Sequence, residues 1–241
     1  MKNLTLIIVL IITNVLFAQT DSTQSKDEFR TLFSNNNGKT KVSGFGSFII
    51  DFGNIENDFG LMVGGEGAVL FNQHIFVGMY GRGLATLPDY EFDNSSFGKV
   101  VNIERRAFMG HGGLLIGSNF MPKKPIHFGV NLRIGGGTVG LIYYYENYHY
   151  DPDFYFPEEQ YEMIFAIAPE VFLEMNLASW FKVKLSAGYQ YISEVTVDAP
   201  IYKDGKFVYD ESGQIITEEV FSTSNYKTPL VSVGFIFGWF K

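Results

Sequence analysis

The 241-residue chain contains no cysteine, which excludes disulfide bonds, thiolate metal sites and a lipid-modified N-terminal cysteine. Only 18% of its residues are charged, whereas soluble domains usually carry about 25%. Its formal net charge of −8 argues against nucleic-acid binding, which favours a basic surface. Aromatic residues, in contrast, make up 17% of the chain, and 26 residues are glycine. This balance is typical of a membrane-embedded β-barrel.

The N-terminal segment has the organisation of a secretory signal peptide. Lys2 supplies a positive charge, residues 4–17 are mainly apolar, and Ala18 precedes a polar stretch. The apolar run is shorter than the about 20 residues that span a bilayer. We therefore predict a cleaved signal over residues 1–18, with an uncleaved anchor as the alternative. After residue 18, no apolar run is long enough for a membrane-spanning helix.

Residues 19–39 differ from the rest of the chain because they are rich in Asn, Ser, Thr and Asp. Phe29, Leu32 and Phe33 have the spacing of one helical face, but the composition favours a flexible periplasmic leader. Residues 40–241 are predicted to form the outer-membrane β-barrel.

Segments of strand-like alternation recur along residues 40–241. In the last of them, the odd positions from 231 to 239 are all large and apolar, whereas the residues between are mostly small. Such a strand faces lipid on one side and a crowded interior on the other. The sequence predicts an all-β fold, an eight-stranded antiparallel up-and-down transmembrane β-barrel. The predicted strands are residues 40–53, 58–71, 75–87, 103–119, 126–142, 161–175, 181–194 and 228–240.

A soluble barrel of lipocalin type is the competing architecture. Its apolar face would point inward and its outer face would be polar. Here each strand sets charged, small or polar residues against large apolar ones, as with Asp51 between Ile50 and Phe52. In a soluble barrel with ions inside, rows of Phe and Ile would meet water and aggregate, so the pattern favours a lipid-facing exterior.

The connections alternate between short and long, except that the loop after the first strand, residues 54–57, is also short. Turns near residues 72–74, 120–125 and 176–180 are short, whereas loops at 88–102, 143–160 and 195–227 are long. Bacterial outer-membrane barrels have short periplasmic turns and long extracellular loops. The sequence therefore predicts a location in the cell outer membrane with both termini in the periplasm.

Two sets of side chains are predicted to follow from this alternation. Amphipathic rings at strand ends favour the headgroup level, and inward ions must be paired. The predicted membrane girdle contains Phe71, Tyr143, Tyr144, Tyr145, Trp180, Phe181, Trp239 and Phe240. The predicted lumen network contains Glu66, Tyr80, Arg82, Arg105, His111, Asn131, Arg133, Glu170, Glu174, Lys182, Lys184 and Gln190. We expect this network to fill the lumen, and a narrow conduction path is the alternative.

Residues 31–87 carry a local resemblance to a known group. Glycine-rich motifs at residues 59–67 and 76–84, preceded by Gly44-Phe45-Gly46 and Thr31-Leu32-Phe33, resemble small uncharacterised outer-membrane β-barrel proteins of Bacteroidota. Members often read Val-Gly-Gly-x-Gly in the second strand. The aromatic C-terminus resembles the signal read by the barrel-assembly machinery, although Lys241 follows Phe240. The resemblance implies fold and location, and no activity.

The sequence offers no catalytic constellation. Some eight-stranded barrels modify lipid A with a His, a Ser and an acid, but none of the four histidines here lies in a His-x-Ser arrangement. A distant Ser could still meet one in space, so lipid-A modification stays an alternative. Gly135-Gly136-Gly137 lacks the Lys-Ser/Thr and helix of a phosphate-binding loop. We expect no enzyme activity, cofactor or metal site.

The long loops are acidic and rich in tyrosine, as in Glu158, Glu159 and Tyr161. Loops on a rigid scaffold are where binding usually occurs, so we expect a structural or surface-recognition role with an unknown extracellular ligand. Residues 202–209 are predicted to form a hairpin around Asp204-Gly205. Other expected partners are outer-membrane lipid, lipopolysaccharide and the barrel-assembly machinery. We expect a monomer.

Overall fold

The computed structural model describes residues 40–55, 58–86, 89–90, 102–146, 160–203 and 206–240. The predicted signal peptide and leader, residues 1–39, lie outside this part. Among the described residues, no helix is both long and apolar enough to cross a membrane. The long strands are β1 (Val42–Ile55), β2 (Asp58–Phe71), β3 (Ile75–Leu84), β4 (Asn102–Phe120), β5 (Ile126–Glu146), β6 (Gln160–Asn176), β7 (Phe181–Ile192) and β8 (Thr228–Gly238).

Each long strand pairs antiparallel with its neighbour in the chain, and β1 also pairs with β8. The eight strands therefore close into a barrel with an up-and-down order. Closure removes the unpaired sheet edges that hydrocarbon could not satisfy. The predicted eight-stranded antiparallel barrel is confirmed.

The strands differ in length from one side of the barrel to the other. β3 has 10 residues, whereas β4 has 19 and β5 has 21. A tilted spanning strand needs about 9–11 residues, so the β4–β5 hairpin continues beyond the membrane. Its ladder runs as far as Asn102 opposite Glu146, four residues past the predicted end of β5 at residue 142. The apolar and polar residues stop alternating at Tyr143, whereas the backbone pairing continues to Glu146. The sequence pattern therefore predicts a shorter strand than the structure contains.

The short turns at one end are held by local hydrogen bonds. Asn72 and Gln73 adopt positive φ values of 51° and 65° in the turn between β2 and β3. The Asn72 amide donates to the Lys41 carbonyl over 2.7 Å, and the Lys41 amide donates to Asn72 Oδ1 over 2.9 Å. The turns at 121–125 and 177–180 lie at the same end, which by the topology of such barrels is the periplasmic one.

Apolar side chains cover the outer wall, and the charged side chains in the middle of the strands are buried inside. Met79, Leu114 and Val171 are exposed, whereas Arg82, Arg133 and Lys184 on neighbouring positions are buried. Large apolar groups on the outside are stable only against hydrocarbon, since contiguous patches of this size aggregate in water. The outer wall is therefore the lipid-facing surface.

Three layers fill the interior. An apolar layer at the extracellular end includes Met62, Leu141 and Ile164, and an aromatic layer at the periplasmic end includes Phe76 and Phe172. The charged side chains lie between the two. Small residues let the backbones approach in the middle layer: a Cβ on Gly135 would overlap the Gly112 carbonyl and lie 2.9 Å from the Tyr80 hydroxyl.

The last long loop folds back over the extracellular end. Thr196–Pro200 and Thr217–Ser222 pair as a two-stranded ribbon, followed by a 3-10 turn at Thr223–Tyr226. Val197 and Tyr226 are buried in the extracellular apolar layer, so the loop closes the mouth of the barrel. The predicted hairpin is present further out, where Tyr202 pairs with Phe207 and Lys203 with Lys206.

Candidate functional site

The middle layer of the lumen contains a closed ring of alternating charges. No two of its members lie directly opposite each other in the ladders; Glu66, for example, is paired with Tyr80 and Arg82 with Gly64. The tilt and stagger of the strands bring these inward-facing side chains together. Six different strands each supply one side chain. In order around the ring these are Asp51, Arg82, Glu66, Lys184, Glu170 and Arg133.

The contacts around this charge ring are short. Arg82 Nε lies 2.7 Å from Asp51 Oδ2, and Arg82 Nη2 lies 2.6 Å from Glu66 Oε1. Lys184 Nζ bridges Glu66 Oε2 at 3.3 Å and Glu170 Oε2 at 3.6 Å. Arg133 closes the ring through Glu170 Oε1 and, at 3.1 Å, through Asp51 Oδ2. Each ion therefore contacts two ions of opposite sign.

The charge ring is electrically neutral, since three carboxylates face three cations. All six residues are buried, and breaking a buried pair is strongly destabilising because it leaves an uncompensated charge. Asn131 Nδ2 also donates to Glu170 Oε2 over 3.0 Å. Complete mutual pairing holds the long side chains in place and fixes strands that are distant in sequence against each other.

Aromatic and polar side chains surround the charge ring. The Tyr80 hydroxyl lies 3.2 Å from His111 Nδ1, and the Arg133 guanidinium lies 5.8 Å from the centre of the Tyr80 ring. Lys184 Nζ lies 5.2 Å from the centre of the Phe172 ring below. Gln190 is fully buried and donates to the sulfur of Met62 over 3.7 Å. These contacts join the charge ring to the apolar layers above and below it.

A second buried cluster lies nearer the periplasmic end. Glu174 Oε2 is 3.0 Å from His127 Nε2 and 3.0 Å from Lys182 Nζ. Lys182 Nζ also lies 4.2 Å from the centre of the Phe240 ring. Glu174 faces Lys184 across β6 and β7, so this cluster follows directly below the charge ring.

The structure brings most of the predicted lumen residues into these two clusters and their surroundings. Arg105 lies in β4, but its side chain is outside the described part. Sequence reasoning did not include Asp51 or His127 in the network, although both contact it directly. Asp51 carried a usable signal, since it alternates with Ile50 and Phe52. His127 carried the same signal, because it precedes outward-facing Phe128.

The predicted girdle residues divide into four groups. Trp180 and Trp239 are 57% and 79% exposed at the periplasmic rim, and Trp180 stacks against Phe237 with ring centres 6.2 Å apart. Phe240 differs, because its ring turns inward over Lys182 and packs against the aromatic layer. Adjacent residues of an extended chain point to opposite faces, so Phe240 points inward because Trp239 points outward. Phe71 and Phe181 are half-buried at the same rim. The side chains of Tyr143, Tyr144 and Tyr145, at the other rim, are outside the described part.

The ribbon of the last loop presents carboxylates to the extracellular side. Asp198 and Glu219 are exposed and lie directly opposite each other. At the tip, Asp210 Oδ1 accepts hydrogen bonds from the Ser212 hydroxyl at 2.7 Å and from the Gln214 amide at 2.8 Å. These bonds, the Ser212 hydroxyl foremost, hold the pKa of Asp210 below its usual value. Within the described ranges, no group of three or more His, Asp or Glu side chains is arranged to hold a metal ion.

Comparisons with known proteins give likeness of fold at low identity. No family model matches the chain, and no curated protein matches it. Neisserial surface protein A is 6% identical with a TM-score of 0.46, covering 83% of this chain and 98% of that one. A major outer membrane protein of Thermus thermophilus is 11% identical with a TM-score of 0.45, covering 82% and 99%. OprG of Pseudomonas aeruginosa is 10% identical with a TM-score of 0.43, covering 83% and 95%.

The barrel's own geometry indicates its location. A closed antiparallel barrel of eight strands, an apolar outer wall and paired ions buried in the lumen are the features of an outer-membrane β-barrel. The protein is located in the outer membrane.

Proposed function

We propose that this protein is a non-enzymatic outer-membrane barrel whose closed lumen makes it a rigid structural element and whose extracellular loops recognise a surface ligand. The observation that carries the proposal is the neutral charge ring, in which all six members are paired with one another. Such a ring has no side chain left over to move a solute or a proton. The resemblance to barrels of Bacteroidota is compatible with this role and stays a prediction.

Packing above and below the charge ring supports a closed lumen. The interior of an eight-stranded barrel is just wide enough for side chains to fill it. Here Val197 and Tyr226 seal the extracellular end from the loop side, and Phe76 and Phe172 occupy the periplasmic half. A solute would have to displace both layers as well as the ions between them.

A narrow water path is the alternative, and one observation favours it. Asp51 Oδ1, Ser232 Oγ and Ser186 Oγ are buried without a hydrogen-bond partner among the described residues. The three residues lie opposite one another across β1, β8 and β7. Buried polar groups of this kind usually bind ordered water, so water molecules would occupy the lumen beside the charge ring.

Planar-bilayer recording separates a closed barrel from a channel. We expect the purified protein to insert without producing conductance steps, because the charge ring and both apolar layers block the lumen. An Arg82→Ala variant is recorded in parallel. It shows whether any conductance step depends on the charge ring in the lumen. Steps in the unmodified protein that change in size or vanish in Arg82→Ala would contradict the closed lumen and establish the channel.

Surface recognition is supported by the chemistry of the ribbon. Asp198 and Glu219 repel each other across the ribbon, so a cation placed between them would be favoured. Tyr209, Ile215 and Ile216 are exposed further along the same loop and offer apolar contact area. A ligand with positive charge and apolar surface fits this combination.

An oligolysine peptide provides a probe for this surface. We expect the double variant Asp198→Asn with Glu219→Gln to bind the peptide about fivefold more weakly in fluorescence anisotropy at low salt, since exposed pairs each contribute about 0.2–1 kcal/mol. Glu162→Gln, an exposed carboxylate outside the ribbon, serves as the control and should change affinity less than about twofold. Equal losses in the two variants would show general charge attraction and contradict recognition by the ribbon.

A further inference from the structure

The periplasmic end of the barrel contains a cavity of about 460 Å³ that is open to the periplasm. The short turns and both ends of the described barrel chain contribute to it, and we call it the vestibule. Its volume lies within the range of about 300–1,000 Å³ that is usual for small-molecule sites. The side chains that define it include Lys41, Gln73, Lys123, Ser179, Lys182 and Phe240.

Positive charge dominates the vestibule. Three of its lining residues are lysines, and no aspartate or glutamate lies among the described residues that line it. Lys182 is paired with Glu174 behind the wall. For Lys41 and Lys123, no ion pair with a carboxylate forms within the described ranges. Among the described residues, two ammonium groups without a carboxylate partner therefore line one open cavity, although the whole chain carries a net charge of −8.

Hydrogen bonds hold the walls of the vestibule in place. Gln73 Nε2 donates to the Phe240 carbonyl over 3.0 Å, which fastens the C-terminal segment to the first turn. Asn176 Nδ2 donates to the Lys124 carbonyl over 2.9 Å and so joins the other two turns. Lys41 is fastened to Asn72 by a reciprocal pair of bonds. A site with fixed walls binds a ligand at a lower entropic cost than a mobile one.

We propose that the vestibule binds an oxyanion, a phosphate or carboxylate group carried by a soluble molecule that arrives from the periplasm. Lys41 and Lys123 supply the charge from opposite walls, since one precedes β1 and the other lies in the turn between β4 and β5. The buried ammonium of Lys182, held by Glu174 and the Phe240 ring, forms the base of the site, and its charge is already balanced by Glu174. Charge-assisted hydrogen bonds from ammonium groups to such oxygens are stronger than neutral ones.

Calorimetric titration with inorganic pyrophosphate tests the proposal on the full chain in a non-ionic detergent at low salt. We expect saturable binding at one site and a loss of affinity of about tenfold or more in the double variant Lys41→Gln with Lys123→Gln, because the variant removes two ammonium groups that donate charge-assisted hydrogen bonds to the anion. Lys124→Gln is the matched control, since Lys124 is adjacent to Lys123 but does not line the vestibule. Its affinity should change less than about twofold.

Three results would overturn the proposal. They are an absence of saturable heat with the unmodified protein, an equal loss of affinity in Lys124→Gln, and competition by lipid. The last is measured by repeating the titration in nanodiscs of phosphatidylcholine with and without phosphatidylglycerol. Unchanged pyrophosphate affinity supports a soluble ligand, whereas weakening by phosphatidylglycerol assigns the vestibule to lipid headgroups instead.

Discussion

We expect an Arg133→Met variant to lose about 3–5 kcal/mol of unfolding free energy, the cost of breaking a buried ion pair from one side. Arg133 is 0% exposed and contacts both Asp51 and Glu170. Methionine fills much of the same volume but supplies no charge, so the charge ring is left with three carboxylates and two cations. Urea unfolding in detergent, followed by the mobility of unheated samples on gels, measures the loss.

A second substitution separates lost charge balance from lost packing. Arg133→Met combined with Glu170→Gln leaves two carboxylates and two cations in the charge ring, and we expect it to be more stable than Arg133→Met alone. Lys227→Met serves as the control, because it removes an exposed ion pair in which Lys227 Nζ lies 3.1 Å from Glu194 Oε2. This variant should lose at most about 1 kcal/mol of unfolding free energy. A loss of under about 1 kcal/mol for Arg133→Met itself would refute the view that the charge ring holds the barrel together.

The second large effect concerns the outer wall. We expect Val171→Arg to destabilise the barrel by about 2–4 kcal/mol in a bilayer, since that is the cost of a charge on the lipid face near the midplane. Val171 is 61% exposed and adjoins Glu170 of the charge ring, so its side chain lies at the level of the middle layer. Urea titration of the protein in liposomes measures the change.

Tyr209→Arg is the matched control for the outer wall. Tyr209 is 56% exposed, nearly as much as Val171, but lies in the last extracellular loop beyond the ribbon, where it forms a β-bridge with Ile215. A surface substitution of this kind usually changes stability by less than about 0.5 kcal/mol. Equal effects at the two positions would mean that both side chains face the same solvent, and the lipid-facing assignment would be wrong.

Alternation at period two was sufficient to predict the strands and their inward faces. The three-residue turn between β2 and β3 predicts that Glu66 lies opposite Tyr80, and the structure contains this pairing. The turn length sets this register locally, so no distant contact was needed to infer it.

The sequence did not predict that the six ions of the charge ring contact one another in a closed ring. Asp51 and Arg133 are 82 positions apart, and their contact depends on the tilt and stagger of every strand between them. The burial of Tyr226 by the extracellular layer has the same origin, since loop composition carries no signal for it. The inward turn of Phe240, in contrast, was readable from the alternation with Trp239.

The seam between β1 and β8 has a consequence for folding. The Asn54 amide donates to Thr228 Oγ1 over 3.0 Å across 174 positions of sequence, and the ladder of this seam joins the two ends of the barrel. Contacts between residues so far apart in sequence form slowly, because the chain loses conformational entropy before these contacts stabilise the fold. The seam therefore cannot form until the C-terminal strand has been synthesised, and a chain that lacks β8 would leave the edges of β1 and β7 unpaired and prone to aggregation.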